Sequence, residues 1–159
     1  MTQASLVANL IQHWQQLRSM TYDLLDAVQD SDLEKTLPFP TSKSLGYQFW
    51  CMTGAQESFL PLIEEGVWRG FSCSLDSLPR IDRQIFRDHM QQADERLFVV
   101  LRRVDLLAPH GEAAALNPMA HYLRLVEHES HHQGQMINFI YAFTLPIPQS
   151  WADRWALSH

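Results

Sequence analysis

Apolar side chains recur at steps of three and four residues in four long segments of the chain. In the first, Leu6, Leu10, Trp14, Leu17, Leu24 and Val28 share one helix face, with a seven-residue step where the polar Thr21 intervenes, and Thr2 or Ser5 caps the start. Leu37-Pro38-Phe39-Pro40 cannot continue that helix, because each proline removes an amide and pushes the residue before it into extended backbone. Thr41, Ser42 and Ser44 then offer N-cap side chains for a second helix. Its stripe runs through Leu45, Phe49, Met52, Phe59 and Ile63 and ends near Gly66, a suitable C-terminal cap. From 79 to about 108, Ile81, Ile85, Met90, Ala93, Leu97, Val100, Leu101, Val104 and Leu107 predict a third helix. Asn117-Pro118, a favoured cap followed by proline at the first helical position, opens a fourth that runs to about Thr144 and is stopped by Pro146 and Pro148.

Between the second and third helices, residues 66–79 mix glycine, serine and aromatics without a sustained period, which reads as a long crossover connection. A short linker, Pro109-His110-Gly111, follows the third helix. Helices of roughly 24 to 30 residues are about 36 to 45 Å long, so they bury their stripes by lying side by side. The fold expected is all-α, a four-helix bundle, with residues 1–159 forming a single domain. No alternating run of strand length and no fixed-period repeat interrupts this pattern. Trp151 and Trp155 in the tail predict that it packs back on the helices or on a partner subunit.

Composition narrows the function classes. Hydrophobic residues make up 46% and charged residues 19%, which suits a globular protein and not a disordered one. Twelve Lys and Arg against eighteen Asp and Glu leave a net charge of −6, which argues against nucleic acid as a partner. No apolar run approaches the ~20 residues of a membrane span, and Met1-Thr2-Gln3-Ala4-Ser5 lacks the features of a signal peptide, so no membrane association and a cytoplasmic location are expected. Cys51 and Cys73 are read as reduced thiols.

The densest chemistry lies at His121, His128, His131 and His132. His128 and His132 are four residues apart, one turn above each other, so both imidazoles can reach one metal ion. Leu125, Met136, Phe139 and Phe143 extend the same face, which turns the pair inward. His131 lies about 100° around the helix and suits a rim or interface position, and His121 is too far along the axis to be a third ligand. A facing helix must supply that ligand. In the inner half of the second helix the candidates are Gln48, Cys51 and Gln56, and only Cys51 is soft and ionisable; with the two imidazoles it makes a set that suits zinc and leaves one position open. Core histidines bonded to side chains or water, and a buried cysteine acting as a small hydrophobe, are the competing reading. Gln48, about one turn before Cys51, can point to the same pocket and orient substrate. Glu57, Glu127 and Glu129 are conceivable bases, each by default a solvated surface carboxylate.

Glu127-His128-Glu129-Ser130-His131-His132-Gln133-Gly134-Gln135-Met136, on the last long helix, resembles the H-x-x-x-H-x-G-Q signature of the DinB/YfiT-like superfamily. The stretch Ser44-Leu45-Gly46-Tyr47-Gln48-Phe49-Trp50-Cys51-Met52-Thr53-Gly54-Ala55-Gln56-Glu57 resembles that family's second helix, and the likeness extends from the first helix to Pro146. The resemblance implies a metal held by three histidines, one on the second helix and two on the fourth, in a pocket open at one end. It also implies homodimers and activity as a metal-dependent transferase using low-molecular-weight thiols, or as a hydrolase. The two fourth-helix ligands fall on His128 and His132; the second-helix ligand falls on Cys51, where the family has histidine. Gln133 stands where arginine is frequent and is expected to face outward or toward a partner. Gly134, costly inside a helix, is expected to mark the close approach of a neighbouring helix.

The leading expectation is therefore an enzyme acting on a small molecule, with a divalent ion, zinc or nickel, on Cys51, His128 and His132. The replaced third histidine supports an alternative, a metal-free module that binds a small molecule or dimerises, with a pocket lined by Phe49, Trp50, Met136 and Phe139. A third reading assigns exposed helix faces, with Trp151 and Trp155, to assembly. Neither a nucleophile elbow nor a glycine-rich phosphate loop is present.

Overall fold

A computed structural model describes residues 2–109 and 116–158, and these are all-helical, with no strand among them. Four long helices, α1 (Gln3–Ala27), α2 (Leu45–Glu65), α3 (Arg83–Arg103) and α4 (Pro118–Phe143), are followed by the short α5 (Gln149–Trp155). None is long and apolar enough to cross a membrane.

The helix boundaries follow local chemistry. The Thr2 side chain accepts from the Ser5 amide at the start of α1, Ser44 from Tyr47 at α2, and Asn117 from Ala120 at α4. Gly66 closes α2 in the left-handed conformation, φ 72°, where a side chain is disfavoured. The third helix is shorter than its apolar pattern suggests. Asp82 caps it, accepting from the Ile85 amide, so Pro79 and Ile81 precede it. Beyond Arg103 the Asp105 side chain accepts from the amides of Leu107 and Ala108, a local turn that competes with the helix and leaves Leu107 63% exposed. His110 and Gly111 of the predicted linker lie outside the described residues.

α2 packs most extensively along α4 and α3, while α1 lies against α3 and α4. Two apolar clusters result. One joins Leu24, Phe49, Met52, Phe86, Met136, Phe139 and Trp151, and the other joins Leu10, Trp14, Ile63, Leu97, Leu101 and Leu125. The tail does pack back: Trp151 is fully buried and its Nε1 donates to the Met20 carbonyl at 2.6 Å, whereas Trp155 is 37% exposed.

The crossover is pinned along α2. Trp50 Nε1 donates to Asp76 at 2.7 Å, the Ser74 amide to Glu57 at 2.7 Å, and the Ser72 amide to Ser58 Oγ at 2.9 Å. Gly54 permits this approach, since a Cβ there would lie 2.5 Å from Phe71 Cζ and 2.9 Å from Cys73 Cβ. Gly54→Ala is expected to lower stability by about 1–3 kcal/mol despite alanine's better helix propensity, because the connection must shift off the helix. Urea unfolding checks this; a variant as stable as the parent would mean that the crossover yields freely. Gly134 behaves in the opposite way to its expected role. A Cβ there meets nothing within 4 Å, so no neighbouring helix requires this glycine.

Candidate metal centre

Cys51 on α2 and His128 and His132 on α4 face each other across the interface between these helices. Their ligand atoms all lie within 4.8 Å of one another, and Cys51 Sγ is 3.7 Å from His128 Nε2. The two rings meet edge to face, centroids 4.5 Å apart. His132 is buried, while His128 and Cys51 are half-buried. Leu125, Met136 and Phe139 turn this face of α4 inward, and Leu45, Phe49 and Met52 do the same for α2. His131 is exposed, a rim residue. His121 is buried in the fourth helix, two turns earlier, and is not one of the three grouped ligands.

The electrostatics suit neutral donors. Burial, reinforced by His128 and His131, lowers the His132 pKa to about 4; burial, then His131 and Arg18, also lowers that of His128. Both imidazoles are thus neutral at pH 7, as metal ligation requires. Burial pushes the Cys51 thiol up, opposed by a hydrogen bond from Tyr47.

Cys51 and His132 open onto a cleft of about 480 Å³ whose walls include Leu37, Phe39, Lys43, Tyr47, Gln135 and Phe139. Of the four residues expected to line a pocket, Phe139 lies on this cleft and the other three do not. Phe49 and Met136 are packed solid in the core, and Trp50 turns toward Phe71 and Asp76, since the crossover gives its indole an acceptor. Gln48 lines the same cleft, as its place one turn before Cys51 suggests, and its Oε1 lies 2.7 Å from His132 Nδ1, so its amide oxygen is engaged by a ring. None of Glu57, Glu127 and Glu129 lines the cleft. A larger cleft, about 700 Å³ between the start of α1 and Arg102, contains no nucleophile or metal-ligand group.

Glu129 was expected in solvent and is instead buried. Thr21 Oγ1 donates to its Oε1 at 2.5 Å, and Arg18 Nη1 lies 3.2 Å from the same oxygen. Arg18 Nε is 3.4 Å from Asp94 on α3, which also accepts from Trp14 Nε1, Tyr22 Oη and Gln56 Nε2. Gln133 belongs to this cluster too. It faces inward, donating to the Leu17 carbonyl at 2.9 Å and to Thr21 Oγ1, because its position on α4 points at the polar gap in the α1 stripe. Sequence periodicity missed this group, although Arg18 and Thr21 continue the stripe of Trp14 at steps of four and seven.

Cys73 is a second free thiol, buried against the Trp50 carbonyl, and burial pushes its pKa up to about 12. At pH 8 iodoacetamide is therefore expected to modify Cys51 in the folded protein and to spare Cys73, whose labelling rises only as the pH approaches its shifted value. Peptide mass spectrometry reads the two sites; preferential labelling of Cys73 would contradict the burial described.

No protein-family model matches the chain, and no curated protein matches it significantly.

Proposed function

We propose that this chain is a four-helix bundle of the DinB/YfiT-like type, one domain over residues 1–159, in which Cys51, His128 and His132 hold a divalent ion, zinc or nickel, in an enzyme acting on a small molecule. The single observation that carries the reading is the convergence of a thiol and two neutral imidazoles from two helices within 4.8 Å. Donors at the corners of a triangle of that side lie about 2.8 Å from a common centre, so sub-ångström side-chain shifts reach the 2.0–2.3 Å of zinc coordination. Sulfur with two imidazoles suits zinc or nickel better than magnesium or calcium, which prefer oxygen. When bound, such an ion supplies Lewis acidity, lowering the pKa of a water or of a substrate thiol.

The chain's own residues contribute the rest. Leu37, Phe39 and Phe139 wall the cleft with apolar surface, and among the described residues Lys43 is its one charged lining residue, a point of attraction for an anionic group. This supports a thiol transferase or hydrolase with a small, negatively charged substrate, in a protein that forms homodimers as the family resemblance implies.

A second reading, a metal-free binding or dimerisation module, is favoured by the cysteine where the family has histidine. Metal analysis of protein prepared without a histidine tag separates the two. About one equivalent of zinc or nickel in the parent, and almost none in Cys51→Ala and His128→Ala, is the expected result. Equal metal in all three would overturn this site.

A further inference from the structure

The orientation of the His132 ring is set from α2. Gln48 Nε2 points to the Ser44 carbonyl at 3.4 Å, which directs the amide oxygen, Oε1, at His132 Nδ1, 2.7 Å away, with Gln48 and His132 both buried. An amide oxygen only accepts, so Nδ1 carries the proton and donates it. The lone pair of the neutral ring then resides on Nε2. His128 has no such support: its Nδ1 is buried without a hydrogen-bond partner.

We infer that Gln48 is a positioning residue that fixes the His132 tautomer, so that Nε2 of His132 is the nitrogen presented to the ion. This rests on the metal site proposed above. Hydrogen-bond partners behind a ligating imidazole orient the ring and raise its basicity, and their loss costs 10–100-fold in metal affinity. The effect at Gln48 is expected in that range, because only one of the two rings is held. Gln135, one turn beyond His132, also reaches the ring, and its Oε1 has no hydrogen-bond partner. A ring with its proton on Nε2, turned to Gln135, would have the opposite tautomer and present Nδ1 instead.

Two measurements test the inference. Nitrogen-15 NMR of the metal-free parent protein is expected to show His132 protonated at Nδ1 and bare at Nε2; the reverse assignment overturns it without any variant. Zinc competition with a chromophoric chelator is expected to show about 10–100-fold weaker binding in Gln48→Leu and recovery toward the parent in Gln48→Glu, which keeps an acceptor. Binding within twofold of the parent in a folded Gln48→Leu protein overturns the inference. If Gln48→Leu fails to fold, Gln48→Met takes its place under the same criterion. A parent protein that binds no zinc defeats the metal site itself, while the NMR assignment still decides the tautomer, so the two failures are told apart.

Discussion

Arg18→Met is expected to destabilise the protein by about 3–5 kcal/mol and to lower its Tm by roughly 10 °C. Arg18 is 1% exposed and lies between Glu129, also 1% exposed, and Asp94. Burial alone would lower the arginine pKa, but Glu129 and Asp94 hold it above its ordinary value, so the guanidinium stays charged. Removing it leaves two carboxylates in the interior. Asp94 retains three donors, from Trp14, Tyr22 and Gln56, whereas Glu129 retains only the Thr21 hydroxyl. The loss therefore falls on Glu129, whose pKa burial already raises, and on the buried Gln56, whose Oε1 loses the donor Arg18 Nη2 at 2.6 Å. Adding Glu129→Gln to Arg18→Met is expected to recover part of the stability, a coupling that thermal or urea unfolding of the single and double variants measures. A loss below about 1 kcal/mol in Arg18→Met would show that water, and not Arg18, satisfies these acids.

Zinc at about a thousand times its dissociation constant is expected to stabilise the parent protein by about 4 kcal/mol, and Cys51→Ala, His128→Ala or His132→Ala to abolish that gain. Two imidazoles a turn apart on α4 are expected to hold the ion far more weakly without the α2 thiol, so at that zinc concentration the cysteine variant should respond as little as the histidine ones. The pH dependence has a definite sign. Cys51 is a protonated thiol at neutral pH, its pKa raised by burial, and must lose that proton to ligate, whereas both imidazoles are already neutral. Apparent affinity should therefore fall about tenfold for each unit the pH drops between 8 and 7. Calorimetry or differential scanning fluorimetry with and without zinc reads both effects; a pH-independent affinity would mean that the thiol does not ligate.

Much of this architecture is legible in the pattern of apolar positions. Thr2, Ser44 and Asn117 cap the helices they precede, and Gly66 ends α2, because capping is local chemistry that a few residues determine. The ends of α3 are less legible, since apolar periodicity runs on through Ile81 and Leu107 while Asp82 and Asp105 decide where the helix stops. Spacing along α4 brings His128 and His132 together, and the requirement for a facing donor selects Cys51. The interior polar cluster is not legible in the same way. Glu129 and Gln133, each next to a ligand histidine in sequence, read as surface residues, and only the packing of α1 against α4 gives them Arg18 and Thr21 as partners. Gln48 is also resolved only by tertiary geometry, because the distance to His132 depends on the register between α2 and α4.

X-ray absorption at the zinc edge, on protein without a histidine tag carrying one equivalent of zinc, tests the proposed centre most directly. One sulfur at about 2.3 Å and nitrogen or oxygen neighbours at about 2.0–2.1 Å are expected, with the sulfur contribution lost in Cys51→Ser. A spectrum with nitrogen and oxygen neighbours alone, unchanged in Cys51→Ser, would contradict this centre.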